Sequence, residues 1–258
     1  MDILEIDAPE VVRSDCLAGD RWVSMHNALI RAGHGLSLSE KRLVAIALSK
    51  IDSRKPVPHG QILTTKITAF EYAELFSVDT DTAYNQLFAS SKHLMNRVIT
   101  YGDSAKKSSG KSKRTAWTDM RWVGRCTYHG GEGWVELAWW PEILPVLTNL
   151  KKNFTSYQLH QTSALRSVYS WRLLELMMRF KDTGWTEIDI TAFAVAMDAT
   201  EKQRADFGKL RTKMIEPAIR ELTEKDGWLI QWESIKTGRK VKALRFEFQR
   251  NPQHQLPL

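Results

Sequence analysis

An α+β fold made of two tandem copies of one unit is predicted by three features of the sequence. First, a tetrad recurs: Ile67-Thr68-Ala69-Phe70 returns as Ile190-Thr191-Ala192-Phe193, 123 residues later. Past the turn that follows, two helical stripes align at an offset of 120, with Leu87 on Phe207, Leu94 on Met214 and Val98-Ile99 on Ala218-Ile219. Second, each copy follows a longer amphipathic helix, residues 39–51 and 164–180, and a brief β-like run. Third, a helical pattern over residues 200–226 leads into two β-rich runs joined by a basic tip, Lys236-Thr237-Gly238-Arg239-Lys240. A helix able to enter a groove, then a hairpin able to lie along the backbone, is the order of a winged helix. Two such units, each a helix-turn-helix plus β-wing, are expected.

In chain order, residues 1–20 are acidic and aperiodic and read as a tail. The first unit is expected over 21–150. Its first helix carries the stripe Leu38, Leu43, Ile46, Ala47 and Ile51, with Ser39 as the capped start, and the prolines of 53–60 end it. A β-like run at 61–67 precedes ITAFEYAELF, the polar turn SVDTDT and a helix over 83–98. Tyr84, Leu87, Leu94 and Val98 form its inner stripe, while Asn85, Ala89, Lys92, His93 and Asn96 face outward. Those outward residues suit base edges and phosphates, and an ordinary surface helix fits them equally. The wing is expected to start with VITY, to continue through 117–126 and to return over 134–140. Lys106, Lys107, Lys111, Lys113 and Arg114 lie in the basic loop between its first two strands, where they could track phosphates or stay solvated. Pro141 opens a short helix, and Lys151-Lys152-Asn153 reads as a linker, so the boundary is placed near Leu150.

The second unit is expected over 151–250, followed by a tail at 251–258. At 100° per residue Phe207, Leu210, Met214, Ala218 and Leu222 share the core face of its long helix. Opposite them project Lys202, Ala205, Lys209, Thr212, Lys213 and Glu216, flanked by Arg204 and Arg211. Solvated charges on a plain surface helix would look the same; the hairpin that follows, with Arg239, Lys240 and Lys242, favours a DNA-binding face. Pro217 is expected to kink this helix or end its straight part, because it cannot bond back to Lys213.

Net charge of +7 and a pI near 9.4 favour an anionic partner such as double-stranded DNA. Cys16 and Cys126 stand apart from any ligand pattern and the seven histidines are dispersed, so neither a metal site nor any other cofactor is expected. Ala105-Lys106-Lys107-Ser108-Ser109-Gly110-Lys111-Ser112 fits a permissive phosphate-loop pattern, but it reads onward into a strand, whereas a phosphate loop opens a helix. No catalytic constellation is seen, and a non-enzymatic protein is expected. No apolar run approaches the ~20 residues of a membrane span, and the acidic start lacks the marks of a signal peptide, so a cytoplasmic protein is expected.

The ordered segments NALIRAGHGLSLSEKRLVAIALSKI, FTSYQL, LRSVYSWRLLELMMRF and FGKLRTKMIEPAIREL resemble the plasmid replication initiators that bind iterons, the direct repeats at a plasmid origin. The resemblance runs from Trp22 to Phe248. It implies two tandem winged-helix domains whose monomers bind iterons, open the origin and recruit the host chromosomal initiator and replicative helicase. It also implies dimers, joined mainly through the first domain, that bind an inverted repeat and repress their own promoter. On that resemblance Tyr169, Ser170, Arg172, Leu173 and Glu175 belong to a largely structural first helix of the second domain. Phe207, Leu210, Met214, Ile215, Pro217 and Ala218 line the packing side of its recognition helix, and Lys209, Arg211, Thr212 and Lys213 meet DNA. A tandem winged-helix transcriptional repressor would share charge, repeat and fold.

Overall fold

The computed structural model describes residues 18–102 and 117–252. A 3-10 turn at Ala18–Asp20 leads into β1 (Trp22–His26), α1 (Asn27–Arg31) and α2 (Leu38–Ser49). Then come β2 (Thr64–Thr68), α3 (Ala69–Phe76), α4 (Thr80–Leu94), β3 (Val98–Gly102), β4 (Trp117–Arg121), β5 (Val123–His129) and β6 (Trp134–Trp139). After a 3-10 segment the chain continues through β7 (Phe154–Gln158), α5 (Val168–Met178), β8 (Trp185–Asp189) and α6 (Ile190–Ala196). It closes with α7 (Glu201–Arg204), α8 (Phe207–Leu210), a π-helical segment Arg211–Ile215, α9 (Glu216–Asp226), β9 (Trp228–Thr237) and β10 (Lys240–Arg250).

Two three-stranded antiparallel sheets, ordered β2-β6-β5 and β8-β10-β9, give the same plan twice: strand, two helices, hairpin. Two tandem winged helices are therefore present. The repeat is in register at 121 residues and not at 123. Thr68 and Asp189 cap α3 and α6, and Ser77 and Asp198 end those helices in the left-handed region at φ 49° and 52°. Asp79 and Thr200 then cap the next helices, so the turn has one length in both copies. Tyr72 and Phe193 are the equivalent buried aromatics, whereas Phe70 is 66% exposed. The recurring tetrad was thus two residues out of step. Thr68 is a cap, but Thr191 lies inside α6.

Several boundaries differ from expectation for local reasons. Ser37, not Ser39, caps α2, closing a capping box in which the Glu40 carboxylate accepts from the Ser37 backbone N–H at 2.7 Å. α4 begins after the Asp79 cap and stops at Leu94, so Val98 leaves the inner stripe and is 41% exposed in β3. β3 pairs with β4 in a ribbon of its own, and buried Trp122 separates β4 from the wing strand β5; VITY is not the first strand of the wing. The pattern over 200–226 is interrupted at Asp206, whose extended backbone (φ −134°, ψ 102°) and side chain cap α8 afresh. Of the expected tails, Ala18–Asp20 and Asn251 are structured, the latter donating its N–H to the Gly227 carbonyl.

β1 pairs antiparallel with β7 across the division expected near Leu150. The unit borders are bridged again by α5, an almost wholly buried helix. From α5 the Arg172 guanidinium donates to the Ile30 and Ala32 carbonyls, both at 2.7 Å, and to the Ala196 carbonyl at 2.7 Å. Arg172 also donates to Glu175 at 2.9 Å, and Glu175 is met by Lys41 at 2.7 Å and by the Tyr157 hydroxyl at 2.8 Å. Burial opposes the Glu175 charge, but Lys41 and Arg172 overcome it and hold the carboxyl below its usual range. The His34 backbone N–H donates to Asp198 of the second unit at 2.8 Å, and the ring contacts Arg172 at 3.1 Å and the Leu29 carbonyl at 2.8 Å. A neutral ring protonated on Nε2 satisfies both contacts, donating to the carbonyl and accepting at Nδ1. Burial, then Arg172 and Lys41, push the His34 pKa well below its usual value.

Because the unfolded chain takes up a proton near pH 6.5 and the folded chain does not, His34 makes stability fall as pH drops below about 6.5, by up to about 1.4 kcal/mol per pH unit. Urea melts at pH 7.5, 6.5 and 5.5 are expected to show this slope in the wild type and to lose that share of it in His34→Gln; equal slopes in the two proteins would remove His34 as the cause.

Candidate nucleic-acid interface

In the first unit, α3, the left-handed turn at Ser77 and α4 form the helix-turn-helix. The Tyr72 hydroxyl donates to Gln86 at 2.8 Å and ties the two helices together. The far end of α4 is anchored on α2: buried Glu40 accepts from Arg97 at 3.0 and 3.1 Å, and His93 Nδ1 lies 3.5 Å from the same carboxylate. Asn85, Ala89, Lys92, His93 and Asn96 are exposed as expected. Asn96 sits beyond the helix end, where its backbone N–H bonds to the His93 carbonyl. Sequence reading passed over Phe88, which is 39% exposed on the same face. Its spacing from Asn85 and Lys92, three and four residues, was the available signal.

In the second unit the recognition element runs from α8 through the π segment into α9. Leu210, Met214, Ala218 and Leu222 are buried, and Phe207 packs half-buried with its ring centroid 6.5 Å from that of Trp232. As expected of Pro217, the regular α-helical path is interrupted just before it, while the helical run continues through it into α9. The proline's missing N–H and its ring disrupt the bond to Lys213, and the backbone answers with a wider turn in which the Glu216 N–H reaches the Arg211 carbonyl. With this wider turn Arg211 is exposed alongside Lys209, Thr212 and Lys213. Arg211, which ideal geometry put near the inner stripe, lies in solvent with Nε 3.4 Å from Glu216. Lys209 faces Asp206 at 3.4 Å, and the Thr212 hydroxyl donates to the Gly208 carbonyl at 2.9 Å. Lys213 has no ion pair among the described residues. The two surface pairs are worth about 0–1 kcal/mol each. Lys202 and Arg204 belong to α7, before the break at Asp206; Arg204 is held by the Ala199 carbonyl at 2.7 Å.

The β9–β10 wing carries exposed Lys236, Arg239, Lys240 and Lys242, with Gly238 at φ 61° making its tip. A register shift between Val241 and Ala243 leaves Lys242 as a bulged residue opposite no partner, which re-aims its side chain. The first wing differs, for its tip His129-Gly130-Gly131-Glu132-Gly133 contains neither Lys nor Arg. Lys106, Lys107, Lys111, Lys113 and Arg114, and the phosphate-loop-like stretch around them, lie outside the described residues. Among the described residues no three His, Cys, Asp or Glu side chains converge as a metal centre requires, and no helix is long and apolar enough to cross a membrane.

Comparison with known proteins adds to this geometry. Residues 22–178 match the family model described as initiator replication protein, WH1, and residues 189–248 match that of initiator Rep protein, WH2. The PI protein of Escherichia coli is 27% identical over 238 residues, spanning 83% of this chain and 77% of that protein. An uncharacterised 27.6 kDa protein of Escherichia coli is 24% identical over 230 residues, 84% of this chain and 91% of that one. The crystal structure of Pi initiator protein in complex with iteron DNA superposes with a TM-score of 0.71 at 23% identity, covering 91% of this chain and 99% of that chain.

Two kinds of contact are separable by substitution. Arg239→Ala with Lys240→Ala is expected to weaken binding to any duplex alike and to lower the slope of log K against log salt by about 1.8, about 0.9 for each phosphate lost. Lys213→Ala is expected to cost about 1–3 kcal/mol on a cognate site and far less on random DNA. Fluorescence-anisotropy titrations across salt concentrations measure both, and a Lys213→Ala loss of equal size on both DNAs would reassign that residue to the backbone.

Proposed function

This chain belongs to the initiator replication protein family, and from that premise we propose that it is a plasmid replication initiator that binds double-stranded DNA at direct repeats of an origin. The observation that carries the reading is the pair of helix-turn-helix units, each with an exposed polar recognition face, joined in one chain through buried α5. Two such units reach successive major grooves about one helical turn apart. In this reading Lys209, Arg211, Thr212 and Lys213, with Asn85, Lys92, His93 and Asn96, face base edges and nearby phosphates. Arg239, Lys240 and Lys242, with Lys202 and Arg204 and the basic sequence stretch of Lys106, Lys107, Lys111, Lys113 and Arg114, set register on the backbone.

The protein works in the cytoplasm as a binding protein and not as an enzyme. Binding energy spent on bent or unwound DNA opens the origin. The opened origin then receives the host chromosomal initiator and the replicative helicase, while self-association into a dimer moves the protein to an operator and represses its gene. DNase footprinting on the DNA flanking the coding sequence tests the central step. A ladder of protected direct repeats, each about two helical turns long, is expected; protection of a lone inverted repeat would instead identify a dimeric repressor, and no specific protection would overturn the reading.

A further inference from the structure

Phe88 is an aromatic side chain among the polar residues that α4 exposes. It lies on the outer face of α4, one turn after Asn85 and one turn before Lys92, and is 39% exposed. It is held in place: its ring centroid is 4.5 Å from that of Tyr128 on the wing strand β5, and the Lys92 ammonium lies 5.0 Å from its centroid. Tyr128 is itself braced edge-on by Tyr84 at 5.8 Å. Burial and the Tyr84 contact push the Tyr128 phenol up to about 12, so this brace stays neutral. Among the described residues, the outer face of α4 around Phe88 is weakly charged. Lys92 is the cation on it, Asp81 is exposed at its start, Ala89 is small, and the first wing's tip carries neither Lys nor Arg. The second unit presents Lys209, Arg211 and Lys213 at the equivalent place.

In the major groove the one apolar group on a base edge is the C5 methyl of thymine, and the side chain that pairs best with adenine's N6 and N7 is Asn or Gln. We propose that the first recognition helix reads an A·T pair through that methyl, with the Phe88 ring as its apolar seat and Asn85 beside it for adenine. The inference rests on the DNA-binding reading above and extends it to base identity: the half-site under the first unit depends on a thymine methyl.

The test uses the full chain and the site mapped by footprinting. Each thymine in the half protected by the first unit is replaced in turn by deoxyuridine, which keeps the base pair and removes only the methyl. Wild-type protein is expected to bind about fourfold more weakly at one or two positions, the factor for one methyl-sized apolar group. Phe88→Ala is expected to bind thymine and uracil DNA alike there, and Phe88→Leu to keep part of the discrimination. Should Phe88→Ala fail to fold, the wild-type scan and Phe88→Leu decide between the outcomes. Wild-type binding indifferent to uracil at every position, or discrimination undiminished in the Phe88 variants, would sink the inference while leaving specific DNA binding intact; absence of any specific site would overturn both.

Discussion

Arg172 is the constraint on which the relation between the two units depends. A guanidinium that is 1% exposed must have its donors satisfied, and three of its acceptors are backbone carbonyls at the C-terminal ends of helices. Ile30 and Ala32 belong to the first unit and Ala196 to the second, so one side chain fixes the separation of α1 and α6 through main-chain atoms. Helix C-termini carry partial negative charge, which adds to the attraction. Glu175 and Lys41 complete a buried set in which every charge has a partner, and loss of a partner from such a set costs about 3–5 kcal/mol. Glu221 of α9 strengthens the same element by accepting from the Arg166 and Ser167 N–H groups at the start of α5, at 2.8 and 3.2 Å. The helix that joins the units is therefore capped by the recognition element it supports.

The duplicated plan was legible because a helix-turn-helix and a wing are each local. Apolar spacing located the recognition helices, and Asp226-Gly227 with Lys236–Lys240 as a turn located the second hairpin. The register of the repeat was not legible from identity. Thr and Asp cap helices equally well, so Thr68 is matched by Asp189, and the letters conserved by chance lay two positions away. The β1–β7 pairing was invisible for another reason. It joins strands that are more than a hundred residues apart, and no local pattern records the partner of a strand.

The site shows the same division. Outward residues of α4 and of the second recognition element follow from helical spacing, and all are exposed except half-buried Glu216. What spacing could not supply was the break at Asp206 and the π turn before Pro217, since both depart from 100° per residue. The departure rescues a conflict in the sequence. A straight helix would carry Arg211 toward the core, while the widened turn releases it to solvent beside Glu216. Burial of Lys41, Arg172 and Glu175 was equally unreadable, for charged residues count as polar in any periodic pattern until their partners are known.

The exposed helix faces of the two units are unlike, and that difference has a geometric consequence. One surface is a mixed face with an exposed phenyl ring and a wing tip without Lys or Arg; the other is strongly cationic, with a basic wing. A single chain that holds unlike surfaces in one orientation, as Arg172 does here, can match a duplex in one direction only. Turned end for end, the cationic face would lie where the aromatic one had been. A palindrome offers two identical half-sites and suits two identical surfaces related by a two-fold axis. A chain of this construction, acting alone, suits a site with polarity, and several such chains acting together suit sites laid head to tail.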